Sequence, residues 1–496
     1  MPELPQDLYT AEQSRELDRI IIEQHHIPAA TLMARAGAAA LNTIKQHWPQ
    51  AEHILVVCGP GNNGGDGYEL ARQALPENYR VSVIELGNIE NMSAEACAAR
   101  QALAATGQQI QRFENNLPSA DVIVDALFGT GLARDITGIY AEAIKAINQH
   151  QRSSVLSLDI PSGLHADTGN VLGIAVNASA TISFLCLNRG LFTGDGPDYC
   201  GQICFDDLQA PSEAYQKLQP VARLLNLKES ASHLAPRKRT GHKGLYGHLL
   251  IIGGDLGMSG AARIAAEAGA RVGAGLTSIA TRSGHSPVLN LTRPELMCHG
   301  IEHPEELAPL LNKASVLAMG PGLGQSDWSQ SLFHFALESA LPMVVDADAL
   351  NILSQHPQYR DNWILTPHPG EAARLLGCNT RDIHTDRFEA VQQLQARYGG
   401  VVVLKGAGTL IYDGKLPVRL SAWGNPGMGS GGMGDALSGV ISGLLAQHLS
   451  LMEAACTGVM LHGMAADKAA EQDGERGMLA MDLMPHLRHL VNLEDI

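Results

Sequence analysis

Short apolar runs that end in glycine or aspartate alternate along this chain with alanine-rich segments of helical period. No other feature constrains the fold as strongly. His53–Cys58 and residues 80–84, 121–125, 154–159 and 180–185 read as strands. Residues 11–18, Ala29–His47, residues 93–106 and Gly138–Gln149 read as helices. Strands apolar at nearly every position are covered on both faces, so this order predicts a mostly parallel sheet with helices on either side. The pattern lapses from Gln209 to Pro236, where Pro211, Pro220 and Pro236 interrupt mixed polar sequence. It then resumes with strands over 247–255, 276–280, 315–320, 343–346 and 401–405, a helix over 259–269, and a hairpin from Thr409–Tyr412 turning at Asp413 and Gly414. The expected class is α/β with two different domains in tandem, residues 1–210 and 237–496, joined by a linker over 211–236. A length of 496 residues exceeds what one hydrophobic core holds.

A formal net charge of -16 argues against nucleic acid or an acidic membrane as the main partner, while leaving room for nucleotides. The eight cysteines form no CxxC pair, so neither a zinc site nor a disulfide framework is indicated. Residues 1–7 lack the basic and apolar regions of a signal peptide, and no membrane span is present. A soluble cytoplasmic protein is expected.

The stretch 423–435 is a glycine-rich loop that runs into an apolar helix and ends on Asp435. Converging backbone N–H groups and a helix N-terminus make an anion pocket, and an aspartate there can act as a base toward a hydroxyl beside a phosphate. Asp435 can equally be an ordinary helix cap. In the N-terminal half, residues 58–67 follow a strand and open a helix, while Asp125 and Asp159 each close a strand. In open α/β sheets, ligands sit outside the carboxyl ends of strands, so these groups converge on one crevice. Asn63, Asp125 and Ser162 offer hard oxygen donors suited to a hard cation, which leaves Asp159 as the candidate general acid or base. A turn or cap role is the plain alternative for each aspartate. In the C-terminal half, residues 320–324, 346–350, 365–371 and 405–409 also follow strands. Lys405 and the glycines after it can hold phosphates. Pro367 and Pro369 stiffen the chain around His368, which can also be a structural histidine, and Glu371 falls where it can cap a helix.

The motifs GPGNNGGDG (59–67), VDALFGTGL (124–132) and SLDIPSGLHADTG (157–169) resemble the NAD(P)H-hydrate epimerase domain, with its Rossmann-like three-layer sheet. TPHPGE (366–371), KGAGT (405–409) and NPGMGSGGMGDALSG (425–439) resemble the ribokinase-like ADP/ATP-dependent NAD(P)H-hydrate dehydratases. Together these are the marks of the bifunctional NAD(P)H-hydrate repair enzymes. The first resemblance implies that Asn62, Asn63, Gly64, Gly65, Asp66, Gly129, Thr130, Gly131, Leu132, Ala133, Arg134, Asp135, Tyr140 and Asp159 contact the hydrated dinucleotide. It also implies that Asn63, Asp125 and Ser162 hold K+, with Asp159 catalytic. The second implies that Lys405, Gly406, Ala407, Gly408, Thr409 and Gly434 bind the adenine nucleotide. Ala262, Leu323, Gly324, His368 and Asp435 would line the hydrate site, with Asp435 as base and Mg2+ neutralising phosphates. The bacterial type of two-domain member implies ADP as donor, and ribokinase-like units imply a homo-oligomer.

The pairing has a chemical reason. Water added to the nicotinamide ring leaves a hydroxyl at a stereocentre, C6, so two epimers form. Phosphorylation turns that hydroxyl into a leaving group, and a chiral phosphorylating site takes one epimer. An isomerase beside the lyase lets the whole pool of NADH hydrate and NADPH hydrate be repaired. The competing expectation is a ribokinase-like kinase of a vitamin-precursor alcohol with a non-catalytic N-terminal binding module.

Overall fold

The computed structural model describes residues 4–88, 90, 92–234 and 236–492. The first three residues of the N-terminal stretch read for a signal therefore lie outside the described residues. Two compact units meet in sequence after Arg223.

The first unit begins with helices α1 (Ala11–Gln24) and α2 (Ala29–His47). Its seven-stranded sheet comprises β1 (His53–Cys58), β2 (Arg80–Glu85), β3 (Ile110–Arg112), β4 (Val122–Ala126), β5 (Ser154–Leu158), β6 (Ala180–Phe184) and β7 (Gln202–Asp206). The spatial order is β3-β2-β1-β4-β5-β6-β7, and every pairing is parallel. The chain reverses direction across the sheet between β1 and β4, the point where such sheets open a crevice. Helices α3 (Asn62–Ala74), α4 (Ala94–Ala104) and α5 (Gly138–Gln149) cover the sheet. Glycines let α3 press against the strand ends. A Cβ on Gly64 would stand 2.0 Å from the Gly59 carbonyl oxygen, and one on Gly67 would stand 2.7 Å from Cβ of Ala126.

The structure corrects the linker reading of residues 211–236. Ser212–Tyr215 forms a helical turn with Ala214 fully buried. Ala222–Leu224 pairs antiparallel with Asp7–Tyr9 in the register Asp7↔Arg223 and Leu8↔Ala222. Thus the first unit reaches to Arg223, and residues beyond it, with the helix Leu227–Ser232, belong to the second. Elements of three to six residues between prolines are too short to leave a periodic trace in the sequence.

The second unit places β8 (His248–Ile252), β9 (Leu276–Thr281), β10 (Met297–Gly300), β11 (Val316–Met319), β12 (Met343–Val345), β13 (Trp363–Leu365), β14 (Val401–Leu404), β15 (Thr409–Tyr412) and β16 (Val418–Ser421) side by side in the order β10-β9-β8-β11-β12-β13-β14-β15-β16. Pairings from β10 to β14 are parallel, and the expected hairpin β15–β16 closes the series antiparallel. Helices α6 (Ser259–Arg271), α7 (Pro369–Leu376), α8 (Met433–Ala446) and α9 (Leu451–Asp473) pack around it. Nearly every residue of α8 is buried, as an all-apolar helix requires. Its small residues set the spacing, since a Cβ on Gly439 would stand 2.0 Å from the Ala265 carbonyl oxygen of α6. Gly432, at φ +94°, caps α8 in a left-handed conformation that a side chain would strain. Among the described residues no helix is long and apolar enough to cross a membrane.

Candidate active sites

In the first unit a cleft of about 1100 Å³ lies beyond the carboxyl ends of β1, β4 and β5. Asn62, Asn63, Asp66, Gly129, Thr130, Gly131, Leu132, Ala133, Arg134 and Asp159 all line it, as do residues of α1 and α2. Gly64, Gly65, Asp135 and Tyr140 stand outside the lining. Gly64 and Gly65 are buried and permit close packing, Asp135 is exposed, and Tyr140 stacks on Phe128 with ring centroids 4.9 Å apart.

Asp159 follows β5 at φ +66°, a strained left-handed conformation for a residue with a side chain. The backbone N–H of Thr130 donates to its Oδ2 at 3.0 Å. Burial pushes the Asp159 carboxyl up, and the Thr130 hydrogen bonds pull it part of the way back. Burial also drives Asp66 well above the usual carboxylate range, with Asp159, Asp18 and Glu69 adding to the effect. Asp18 of α1 rises to about 7, through burial first and the Asp159 charge second. Three carboxyls whose affinity for protons is raised in one cleft make a setting for acid–base work.

Asp125 and Ser162 lie fully buried, outside the residues that line the cleft. Asp125 accepts hydrogen bonds from Ser157 Oγ (2.9 Å), Ser162 N (2.9 Å), Ser162 Oγ (2.6 Å) and Leu127 N (3.3 Å). Ser162 Oγ in turn accepts from Phe128 N at 2.9 Å. The network ties the loop after β4 to the loop after β5. Asn63 is only 7% exposed, yet both polar atoms of its amide are without a partner. Among the described residues Asp125 pairs with no cation, and the oxygens of Asn63, Asp125 and Ser162 have the chemistry of ligands for a hard monovalent ion.

In the second unit residues after β12, β13 and β14 form a cluster at the N-terminal turns of α8. Lys405 Nζ lies 2.7 Å from Asp346 Oδ1 and 3.8 Å from Glu371 Oε2. Ser438 Oγ donates to the other oxygen of Asp346 at 2.7 Å. Burial works to discharge Lys405, but Asp346 and Glu371 outweigh it and hold the ammonium charged. Asp435 sits in the first turn of α8. Burial pushes it up to about 6, Asp346 adds to the rise, and Lys405 opposes it. Glu371 rises to about 7 by burial, opposed by Lys405 and assisted by Asp346. Gly434 lies against this cluster, where a Cβ would stand 3.3 Å from Lys405 Nζ.

His368 caps α7 in a reciprocal box. Its Nδ1 accepts from Gly370 N at 3.0 Å, and its own N–H donates to Glu371 Oε2 at 2.7 Å. This box directs the ring, in addition to the flanking prolines. The half-exposed imidazole is held below its usual pKa by burial and by Lys405, with Nε2 3.4 Å from Glu371 Oε1. Gly324 N donates to Asp348 Oδ2 at 2.8 Å. Ala262 and Leu323 are fully buried, so they shape the wall of the site from within. Beneath residues 405–409, the buried Arg387 donates to the carbonyls of Leu404, Lys405 and Gly408, which fixes the loop. Among the described residues no three His, Cys, Asp or Glu form a ready metal cage.

Residues 249–488 match the family model for NAD(P)H-hydrate dehydratase, and residues 29–190 match that for the YjeF-related protein N-terminus. A bifunctional NAD(P)H-hydrate repair enzyme from Coxiella burnetii is 50% identical over 486 residues, covering 98% of this chain and 99% of its own. The chain belongs to the bifunctional NAD(P)H-hydrate repair enzyme family. The Escherichia coli relative of that name is 43% identical over 99% of this chain and 95% of its own length. A crystal structure of a ribokinase-like superfamily protein from Enterococcus faecalis superposes with a TM-score of 0.51 at 28% identity, covering 55% of this chain and 96% of that one. For a member of this family, sequence reading left Asp18 and Asp348 without a role and gave Asp346 none beyond its place in a motif. The partners of Asp346 lie 59 and 92 residues away, at Lys405 and Ser438.

Proposed function

We propose that the unit around residues 1–210 interconverts the R and S forms of NADH hydrate and NADPH hydrate. The unit around residues 237–496 then returns the S form to NAD(P)H at the expense of ADP, giving AMP and phosphate. The reading is supported above all by the convergence of Lys405, Asp435 and the glycine cap of α8 at one crevice.

Asp435, once ionised, takes the proton of the C6 hydroxyl. The oxygen attacks the terminal phosphorus of ADP, the bridging P–O bond breaks and AMP leaves. The lone pair on the ring nitrogen then expels phosphate from C6, and loss of the C5 proton restores the dihydronicotinamide. Lys405, held charged by Asp346 and Glu371, offsets phosphate charge, and the N-terminus of α8 at Gly434 faces it with backbone dipole. His368 Nε2, beside Glu371 Oε1, would orient the hydrate. Mg2+ would supply charge neutralisation between phosphate oxygens. In the first unit, Asn63, Asp125 and Ser162 would hold K+, which offsets the buried Asp125 charge. Asp159 acts at the hydrated ring.

The alternative is a kinase of a small alcohol, and product analysis separates the two. With NADH hydrate, ADP and magnesium, inorganic phosphate and AMP are expected in one-to-one proportion to NADH, and no phospho-ester is expected to accumulate. A stable phosphorylated product would instead establish the kinase.

A further inference from the structure

Asp18 stands apart from the other carboxylates of the first unit. It lies on α1, upstream of residues 29–190 that match the family model. Leu17, Ile20 and Ile21 bury one stripe of α1, and Arg19 pairs with Glu16 and Glu23. The remaining stripe of Ser14, Asp18 and Ile22, spaced four residues apart, lines the cleft that holds Asp159. The Asp18 side chain is exposed in the cleft and has no hydrogen bond or ion pair among the described residues. The partnerless amide of Asn63, 93% buried and read above as a K+ ligand, lines the same cleft. A Cβ on Gly129 would stand 2.7 Å from Asp159 Oδ2 and 3.7 Å from Cγ of Asn63, so this amide and the Asp159 carboxylate flank one short stretch of the wall.

We propose that Asp18 is a second catalytic residue of the epimerase site and works with Asp159, which lines the same cleft. The proposal rests on the epimerase reading above. Protonated Asp18 gives its proton to the C6 hydroxyl as the C6–O bond breaks and the lone pair on the ring nitrogen forms a C=N bond. The hydroxyl departs as water. A water molecule then adds to C6 from the other face, its proton passes to Asp159, and the nitrogen regains its pair. The proton has moved from one carboxyl to the other, so the site is set for the reverse conversion. The other charged groups lining the cleft are Arg15, Asp66, Glu95 and Arg134.

The test uses the full chain, resolved R and S epimers of NADH hydrate, potassium and no ADP, with the epimers separated chromatographically. Asp18→Asn is expected to slow interconversion in both directions by about 10²-fold or more, with retained or increased thermal stability and unchanged ADP-dependent dehydration of the S epimer. Asp18→Glu should recover part of the rate. In ¹⁸O-labelled water, the wild-type chain should place one label at C6 for each inversion. A fully active Asp18→Asn variant would overturn the proposal, as would retention of the original oxygen. A wild-type chain that fails to interconvert the epimers would defeat the epimerase reading itself.

Discussion

Asp435→Asn is expected to lower ADP-dependent dehydration of the S epimer by about 10³-fold, with little change in the KM for ADP. Asparagine keeps the shape of the side chain in the first turn of α8 but cannot take a proton from the C6 hydroxyl. The same substitution should make the second unit more stable. In the fold the Asp435 carboxyl is pushed up to about 6, whereas an exposed aspartate ionises near 3.8. As pH rises through that window the unfolded chain ionises first, so above about 6 the buried group costs the fold on the order of 3 kcal/mol. Asparagine removes that cost, and the transition of the second unit should rise by roughly a few degrees at neutral pH. Wild-type dehydration should fall as pH drops through about 6, because the base must be ionised. Calorimetry together with a pH–rate profile measures both effects. A variant with wild-type kcat would remove Asp435 from the role of base.

Asp159→Asn should abolish repair of the R epimer while leaving the S epimer untouched. The loss is expected to be about 10³-fold in interconversion rate. Asparagine is among the residues that best tolerate the left-handed conformation found at position 159, so the backbone should hold. Removing the charge also relieves Asp66 and Asp18, whose carboxyls Asp159 pushes upward. Loss of activity and retained or increased stability should therefore appear together, which separates a chemical role from a structural one. The measurement is epimer interconversion followed alongside thermal unfolding. Normal interconversion by the variant would show that Asp159 serves only to hold Thr130.

The parallel sheets were legible in the sequence because buried strands such as β1, β4 and β14 are apolar along their length and end in glycine or aspartate. The edge strands were not. Ile110–Arg112 is half exposed and only three residues long, which leaves no period to read. The two crevices were legible for the same reason as the strands: ligand groups gather where strands end. The partnerships inside them were not, because they are tertiary. Lys405 was read as a phosphate ligand from its glycine-rich loop, and the structure adds Asp346 and Glu371, which hold its charge. His368 was read as fixed by two prolines, whereas its hydrogen bonds with Gly370 and the Glu371 carboxylate do much of the fixing. Asp125 was read as a cation ligand, and its four hydrogen bonds show that it also knots two loops together. Asp18 lies on a plain amphipathic helix, where nothing local marks it out.

The central claim is that two activities on one chain repair the whole hydrate pool. Its most direct test gives the purified protein a mixture of both NADH hydrate epimers with magnesium, potassium and ADP, and follows dihydronicotinamide absorbance and released phosphate together. Complete recovery of both epimers at a rate above spontaneous epimerisation, with phosphate in step, is the predicted result. Recovery that stops at the share of the S epimer would contradict it.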